Sequence, residues 1–125
     1  MKRILLVDDE PDFTALLKDT LEGSGEYLVA TVNESSQALQ MAREFEPHLI
    51  FLDVVMPGKD GGDLAGDFND DPKLRKVPVV MLTALVEENT NSPTGETERG
   101  GLNFLSKTSS LPTLLACIEK HTEDV

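Results

Sequence analysis

Leu49-Ile50-Phe51-Leu52-Asp53-Val54-Val55-Met56-Pro57 is the stretch whose reading decides the fold. Four apolar residues run straight into a carboxylate, and a proline follows shortly after. An unbroken apolar run bounded by turn residues fits a strand covered on both faces, as in a parallel sheet. In open parallel sheets, ligands sit just outside the carboxyl ends of the strands. Asp53 therefore ends a rigid element at the place where such folds do their chemistry.

Working outward from that strand, the chain alternates apolar runs with helical periodicity. Upstream, Arg3 to Val7 forms a first strand that ends in Asp8-Asp9-Glu10. Pro11 suits the first turn of a helix, with Phe13, Leu16, Leu17 and Leu21 at helical spacing and Gly23-Ser24-Gly25 as its stop. Tyr27 to Val32 reads as a second strand. Asn33 or Ser35 is placed to cap a second helix carrying Ala38, Met41, Ala42 and Phe45 on one face, ended by Pro47.

Downstream, Pro57 to Gly62 is a turn-rich loop, in which Gly61 is read as supplying backbone freedom and Lys59 and Asp60 as solvated. A short third helix is predicted over Asp63 to Asn69. Val77 to Leu82 is a fourth strand with Pro78 near its start, ending at Thr83-Ala84. Glu87 to Gly101 contains no large apolar residue; a helix there has no face to bury, which predicts a short frayed helix or a loop. Leu102 to Ser106 is a fifth strand, followed by Lys107. Ser109 or Ser110 caps a last helix with Leu111, Leu114, Leu115 and Ile118 on its buried face. Strands alternating with helices through short connections predict an α/β, flavodoxin-like (βα)5 three-layer sandwich. Its parallel five-stranded sheet takes the order 2-1-3-4-5, with an irregular fourth helix.

Composition narrows the function. The 125 residues suffice for one domain with a single core, residues 1–125, and are too few for two ordinary ones. No apolar run approaches the roughly 20 residues that span a bilayer, and the amino-terminal residues lack the pattern of a signal peptide. A lone cysteine, Cys117, forms no internal disulfide and reads as a small core-side helix residue. The expectation is a cytoplasmic protein. The net charge of -12 disfavours direct nucleic-acid binding, which relies on Lys and Arg neutralising phosphates.

The strand ends form a set. The first gives Asp8 and Asp9, the third Asp53, the fourth Thr83 and the fifth Lys107. Neighbouring first and third strands bring three carboxylates together, where like charges repel unless a cation intervenes. Hard oxygen donors with room for water suit Mg²⁺. A lysine and a hydroxyl opposite them can bind phosphoryl oxygens, so the set is suited to phosphoryl transfer onto an aspartate. Taken singly, each residue has an ordinary reading: helix capping for Asp-Asp-Glu, a turn for Asp53, structure for Thr83 and a surface position for Lys107.

With those residues in view, the chain resembles the receiver domains of two-component response regulators. The matching pieces are Leu5-Leu6-Val7-Asp8-Asp9-Glu10, Leu52-Asp53-Val54-Val55-Met56-Pro57-Gly58-Lys59-Asp60-Gly61, Met81-Leu82-Thr83-Ala84 and Phe104-Leu105-Ser106-Lys107, spanning Arg3 to about Lys120. The resemblance implies that Asp53 is the phosphoacceptor. It implies that Asp9, Asp53 and the backbone carbonyl of Val55 ligate Mg²⁺, with Asp8 acting mainly through water. Lys107 would pair with the carboxylate or phosphoryl oxygens, Thr83 would move in to the phosphoryl group, and Phe104 would be the aromatic switch residue. The implied donor is a phosphohistidine on a sensor histidine kinase or histidine phosphotransfer protein, with output through a downstream protein partner. His48 and His121 are expected away from this site.

Three departures from the family pattern stand out. Thr108 replaces the usual proline after the lysine, so the Lys107-Thr108 bond is either trans or strained, a cis bond to a non-proline residue costing about 2.5–4 kcal/mol. The polar Glu87 to Gly101 segment replaces an amphipathic fourth helix. Val55 and Leu85, two positions after Asp53 and Thr83, are apolar and would flank the phosphoryl group, hindering water. A haloacid-dehalogenase-type phosphatase needs a second aspartate where Val55 stands. A flavin carrier rests on fold alone. The remaining alternative is a degenerate receiver that binds partners without phosphorylation.

Overall fold

The computed structural model describes residues 1–84 and 94–124. Chain order gives β1 (Lys2–Val7), α1 (Pro11–Gly23), β2 (Tyr27–Val32), α2 (Ser35–Phe45), β3 (Leu49–Asp53), α3 (Gly61–Asp70), β4 (Val79–Thr83), β5 (Thr97–Arg99), β6 (Leu102–Ser106) and α4 (Leu111–His121). The sheet order is β2-β1-β3-β4-β6-β5. The first five strands of that order are parallel, and β5 lies antiparallel at the edge beside β6. The five strands read from the sequence thus take the order 2-1-3-4-5, with an added sixth.

The decisive stretch behaves as its composition demands. All five residues of β3 are buried, and successive side chains of a strand point to opposite faces. Leu49 and Phe51 join the core under α1 and α4, with Leu17, Leu21, Leu114 and Ile118. Ile50 and Leu52 join the core under α2 and α3, with Ala38, Ala42, Leu64 and Phe68. Two cores on one central strand hold Asp53 at a fixed height above the sheet.

Several local expectations are corrected. The Glu87 to Gly101 segment contains a strand where a frayed helix or loop was predicted. The residues able to form the irregular fourth helix lie mainly outside the described ones, which contain four helices. Arg99 and Leu102 face each other across Gly100 and Gly101, with φ of 58° and 81°. Positive φ at both central residues is what a two-residue type I′ hairpin turn requires, and Gly-Gly supplies it.

α3 begins at Gly61, two residues earlier than predicted, because the Asp60 side chain caps it by accepting from the Asp63 N–H at 2.9 Å. Asp60 is thus a cap, beyond the solvation first assigned to it. A Cβ at Gly61 would collide with the Asp53 carbonyl and stand 2.7 Å from Met81 Cε. Gly61 is needed for close approach, whereas the loop's left-handed residue is Gly58, at φ 83°.

Neither Asn33 nor Ser35 caps α2, whose N-cap is Glu34 without a side-chain bond. The buried face of α4 is Leu114, Cys117 and Ile118, with Leu111 exposed; Ser110 is its cap, accepting from the Thr113 N–H. In α1, Leu16 likewise points outward and Thr14 is buried instead.

Candidate functional site

The carboxyl ends of β1, β3, β4 and β6 meet on one edge, as parallel pairing in register requires. Asp8 follows β1 and is buried, its backbone N–H bonded to the Val32 carbonyl. Asp53 ends β3 and is 6% exposed. Thr83 ends β4, is also buried, and its carbonyl accepts from the Lys107 N–H at 3.0 Å. That bond fixes the start of the loop carrying the lysine.

Lys107 is the hub. Its Nζ stands 2.7 Å from Asp8 Oδ2, 2.8 Å from Glu10 Oε1 and 3.4 Å from Asp53 Oδ1. Nζ also stands over the Phe13 ring, 5.0 Å from its centroid. Burial alone would lower the lysine's affinity for its proton. Hydrogen bonds and charge from Asp8 and Glu10 outweigh that and hold it firmly protonated. Every described peptide bond is trans, so Thr108 takes the trans alternative, and Lys107 still reaches the site. The Ser106 hydroxyl braces this loop, standing 2.8 Å from the Thr108 hydroxyl and accepting from its N–H at 3.2 Å.

One ammonium faces a surplus of acid. Burial first, and then repulsion from Asp8, push the Asp53 carboxyl from 3.8 up to about 6, against the pull of Lys107 and the Val55 N–H. Asp8, Asp9 and Glu10 each offer an oxygen within 4.8 Å of one another. Asp8 Oδ2 is buried with the Lys107 ammonium as its partner at 2.7 Å, but that one ammonium also serves Glu10 and Asp53. The negative charge left over among crowded carboxylates is what a hard divalent cation satisfies. The donor set therefore fits Mg²⁺. Asp53 joins it through Asp8 and the shared lysine and lies outside the Asp8-Asp9-Glu10 triplet.

Of the residues singled out in the sequence, Lys107 contacts both Asp8 and Asp53, Asp9 stands beside Asp8, and Thr83 holds the Lys107 backbone. Val55 follows Asp53, with a side chain 67% exposed at the mouth of the site. Leu85 lies outside the described residues. Phe104 is half-buried on the α2 and α3 face of β6, opposite Thr97 of β5. His48 and His121 are distant from the cluster: His48 Nδ1 accepts from the Arg3 N–H at 2.8 Å, and His121 pairs with Glu96.

Sequence reading missed three supports. Glu10 shares the lysine, and only its position next to Asp9 hinted at that. Asn33 donates to the Asp8 carbonyl at 2.8 Å and to the Thr14 hydroxyl at 3.0 Å, tying the β1 loop to α1 and β2. Asp8 Oδ1 accepts from the Glu10 N–H at 3.0 Å, turning the loop over the sheet edge.

A parallel sheet of this order, with acids and a lysine on its carboxyl edge, places the chain among the flavodoxin-like α/β domains. The chain belongs to the response regulator receiver domain family, whose model matches residues 4–119. It is similar to the polar-differentiation response regulator DivK of Brucella anthropi, 32% identical over 127 residues and covering 98% of each chain. It is 39% identical over 105 residues to the response regulator PleD of Caulobacter vibrioides, covering 84% of this chain and 22% of PleD. Among solved structures it resembles the signal receiver domain of a signal transduction histidine kinase from Syntrophus aciditrophicus. There the TM-score is 0.78 at 28% identity, covering 100% of this chain and 92% of that one. Receiver domains of this family serve phosphorelay signalling and are generally regulatory. Among the described residues, no helix is long and apolar enough to cross a membrane.

Proposed function

We propose that this chain is a phosphorylation-operated switch contained in one domain, residues 1–125. In this reading Asp53 takes a phosphoryl group from a phosphohistidine on a sensor histidine kinase or histidine phosphotransfer protein. The reaction is Mg²⁺-dependent and cytoplasmic, and the phosphorylated form acts on a downstream protein. The observation that carries the reading is the shared Lys107 ammonium between Asp8 and Asp53 at the sheet's carboxyl edge.

A carboxylate oxygen of Asp53 attacks phosphorus. The phosphorus–nitrogen bond breaks, and the imidazole leaves with the bonding pair. Attack requires the ionised carboxyl; burial and Asp8 hold Asp53 up at about 6 in the metal-free site, and a bound cation would favour its ionised form. Lys107 stays charged and follows the oxygens of the transferred group. Asp8, Asp9, Asp53 and the Val55 carbonyl would hold Mg²⁺, which when bound neutralises the crowded carboxylates and the phosphoryl charge. The Thr83 hydroxyl then turns toward the new acceptor oxygens, and Phe104 repacks behind it. Only contacts that differ between the two forms can shift their populations, and these two side chains are the ones proposed to differ.

The test is intact mass after incubation with acetyl phosphate, with and without Mg²⁺, for the wild type and Asp53→Asn. One added phosphoryl group, dependent on Mg²⁺ and absent from the variant, is the expected result. Folded protein that gains no mass from acetyl phosphate or from a kinase donor would replace the switch with a phosphorylation-independent binding module.

A further inference from the structure

At the opposite end of α4 from the Lys107 loop, three side chains unused by the phosphoryl site converge. Cys117 and His121 are one helical turn apart on α4, so they share a face. Glu96 immediately precedes β5, the strand added to the sheet edge. The imidazole Nε2 of His121 lies 2.9 Å from one Glu96 carboxylate oxygen and 3.0 Å from the other. Cys117 bonds to the same carboxylate. One oxygen, one nitrogen and one sulfur donor all fall within 4.8 Å of one another. Cys117 is fully buried and Glu96 is 6% exposed.

We propose that Glu96, Cys117 and His121 form a binding site for a divalent transition-metal ion of the zinc class. Sulfur with imidazole selects such ions over Mg²⁺ and Ca²⁺, and a carboxylate completes sets of this kind. The charges match: a thiolate and a carboxylate carry two negative charges against the ion's two positive ones, and the imidazole binds neutral. The bond that breaks is the Cys117 S–H, whose proton leaves to solvent as the sulfur–metal bond forms.

In the metal-free structure one Nε2–H is shared between both carboxylate oxygens, at 2.9 and 3.0 Å, as a three-centre hydrogen bond. Metal–donor bonds of about 2.0–2.3 Å set donor separations of about 3.5 Å in a tetrahedron, so an ion would replace that bond and part the imidazole from the carboxylate slightly, within the 4.8 Å over which the three donors lie. Lys120 Nζ, 3.9 Å from Glu96, is the competing cation; its side chain is 52% exposed and can swing into solvent. Three protein donors leave a fourth position for water. An ion here would pin the start of β5 to α4.

Co²⁺ titration followed by absorbance tests the site, in saturating Mg²⁺ to fill the acidic site. One equivalent of Co²⁺ should give a thiolate-to-cobalt charge-transfer band that one equivalent of Zn²⁺ abolishes. The band should persist in Asp53→Asn. It should be lost in Cys117→Ser, and Co²⁺ affinity should drop at least tenfold in His121→Gln and in Glu96→Gln. The last two variants carry the test if Cys117→Ser fails to fold, with circular dichroism as the check. Absence of the band in folded wild type would overturn the proposal and leave a structural ion pair. A band indifferent to both His121→Gln and Glu96→Gln would overturn it in favour of a lone thiol.

Discussion

Asp53→Asn should stabilise the metal-free protein at neutral pH. The Asp53 carboxyl is raised from 3.8 to about 6 by burial and by Asp8, net of the help from Lys107 and Val55. In the unfolded chain the same group titrates near ~3.9. Between about pH 4 and 6 the native state therefore binds more protons than the unfolded one, so stability falls as pH rises through that window. Two units at about 1.36 kcal/mol each set an upper bound of ~3 kcal/mol. The edge of the site faces water, and screening there reduces the figure to about 1–2 kcal/mol. Asparagine keeps the shape and cannot ionise. Lys107 retains Asp8 and Glu10 as partners, so little is lost in exchange. Urea unfolding in EDTA should show the variant more stable by about 1–2 kcal/mol at pH 7.5, and the gap should close toward pH 4. A variant equal to or weaker than wild type at pH 7.5, or a gap that does not depend on pH, would refute the electrostatic account of this site.

Four further outcomes follow from particular contacts. Gly61→Ala should cost about 1–3 kcal/mol in chemical denaturation, because its Cβ meets the Asp53 carbonyl and Met81; a neutral result would mean the loop yields freely. Phe51→Ala, in a strand buried on both faces, should cost about 3–5 kcal/mol, and a loss under ~1 kcal/mol would contradict the packing of the α1 and α4 core. Glu10→Gln removes an exposed partner of Lys107 and should change stability by less than ~1 kcal/mol; a loss near that of Phe51→Ala would show that Glu10 is structural. Polar substitution at both Val55 and Leu85 should speed phosphate loss from the phosphorylated form, measured by intact mass over time, and unchanged decay would remove their role in excluding water.

The fold was legible because β3 announces itself twice, in an apolar run and in its ending. The order of the five parallel strands and the residues at their ends follow from that kind of signal. Helix faces were less legible. In α4, Cys117 faces the core as its sequence reading has it, but Leu111 looks as apolar as Leu114 and only tertiary packing shows that it is exposed. β5 was missed for a different reason. Apolar pattern was the criterion, and Thr97-Glu98-Arg99 has none, because an edge strand needs no buried face. The signal was in Gly100-Gly101, a turn that demands a partner for β6.

The same logic explains why the strand-end cluster could be read from sequence and the Glu96 cluster could not. Strand ends of a parallel sheet are ordered by topology, so residues far apart in sequence fall on one edge once the order is known. Asp8, Asp53, Thr83 and Lys107 needed only that rule. Glu96, Cys117 and His121 meet because a hairpin turns back at Gly100 and Gly101 and sets Glu96 beside α4. No periodicity encodes that approach. Cys117 and His121 share a helix face by spacing alone, but a cysteine and a histidine one turn apart carry little meaning until a third donor is placed. What places it is β5, the strand that departs from the five-strand plan. A polar segment on a sheet edge, with buried Glu96 at its start, is therefore what brings the third donor to α4.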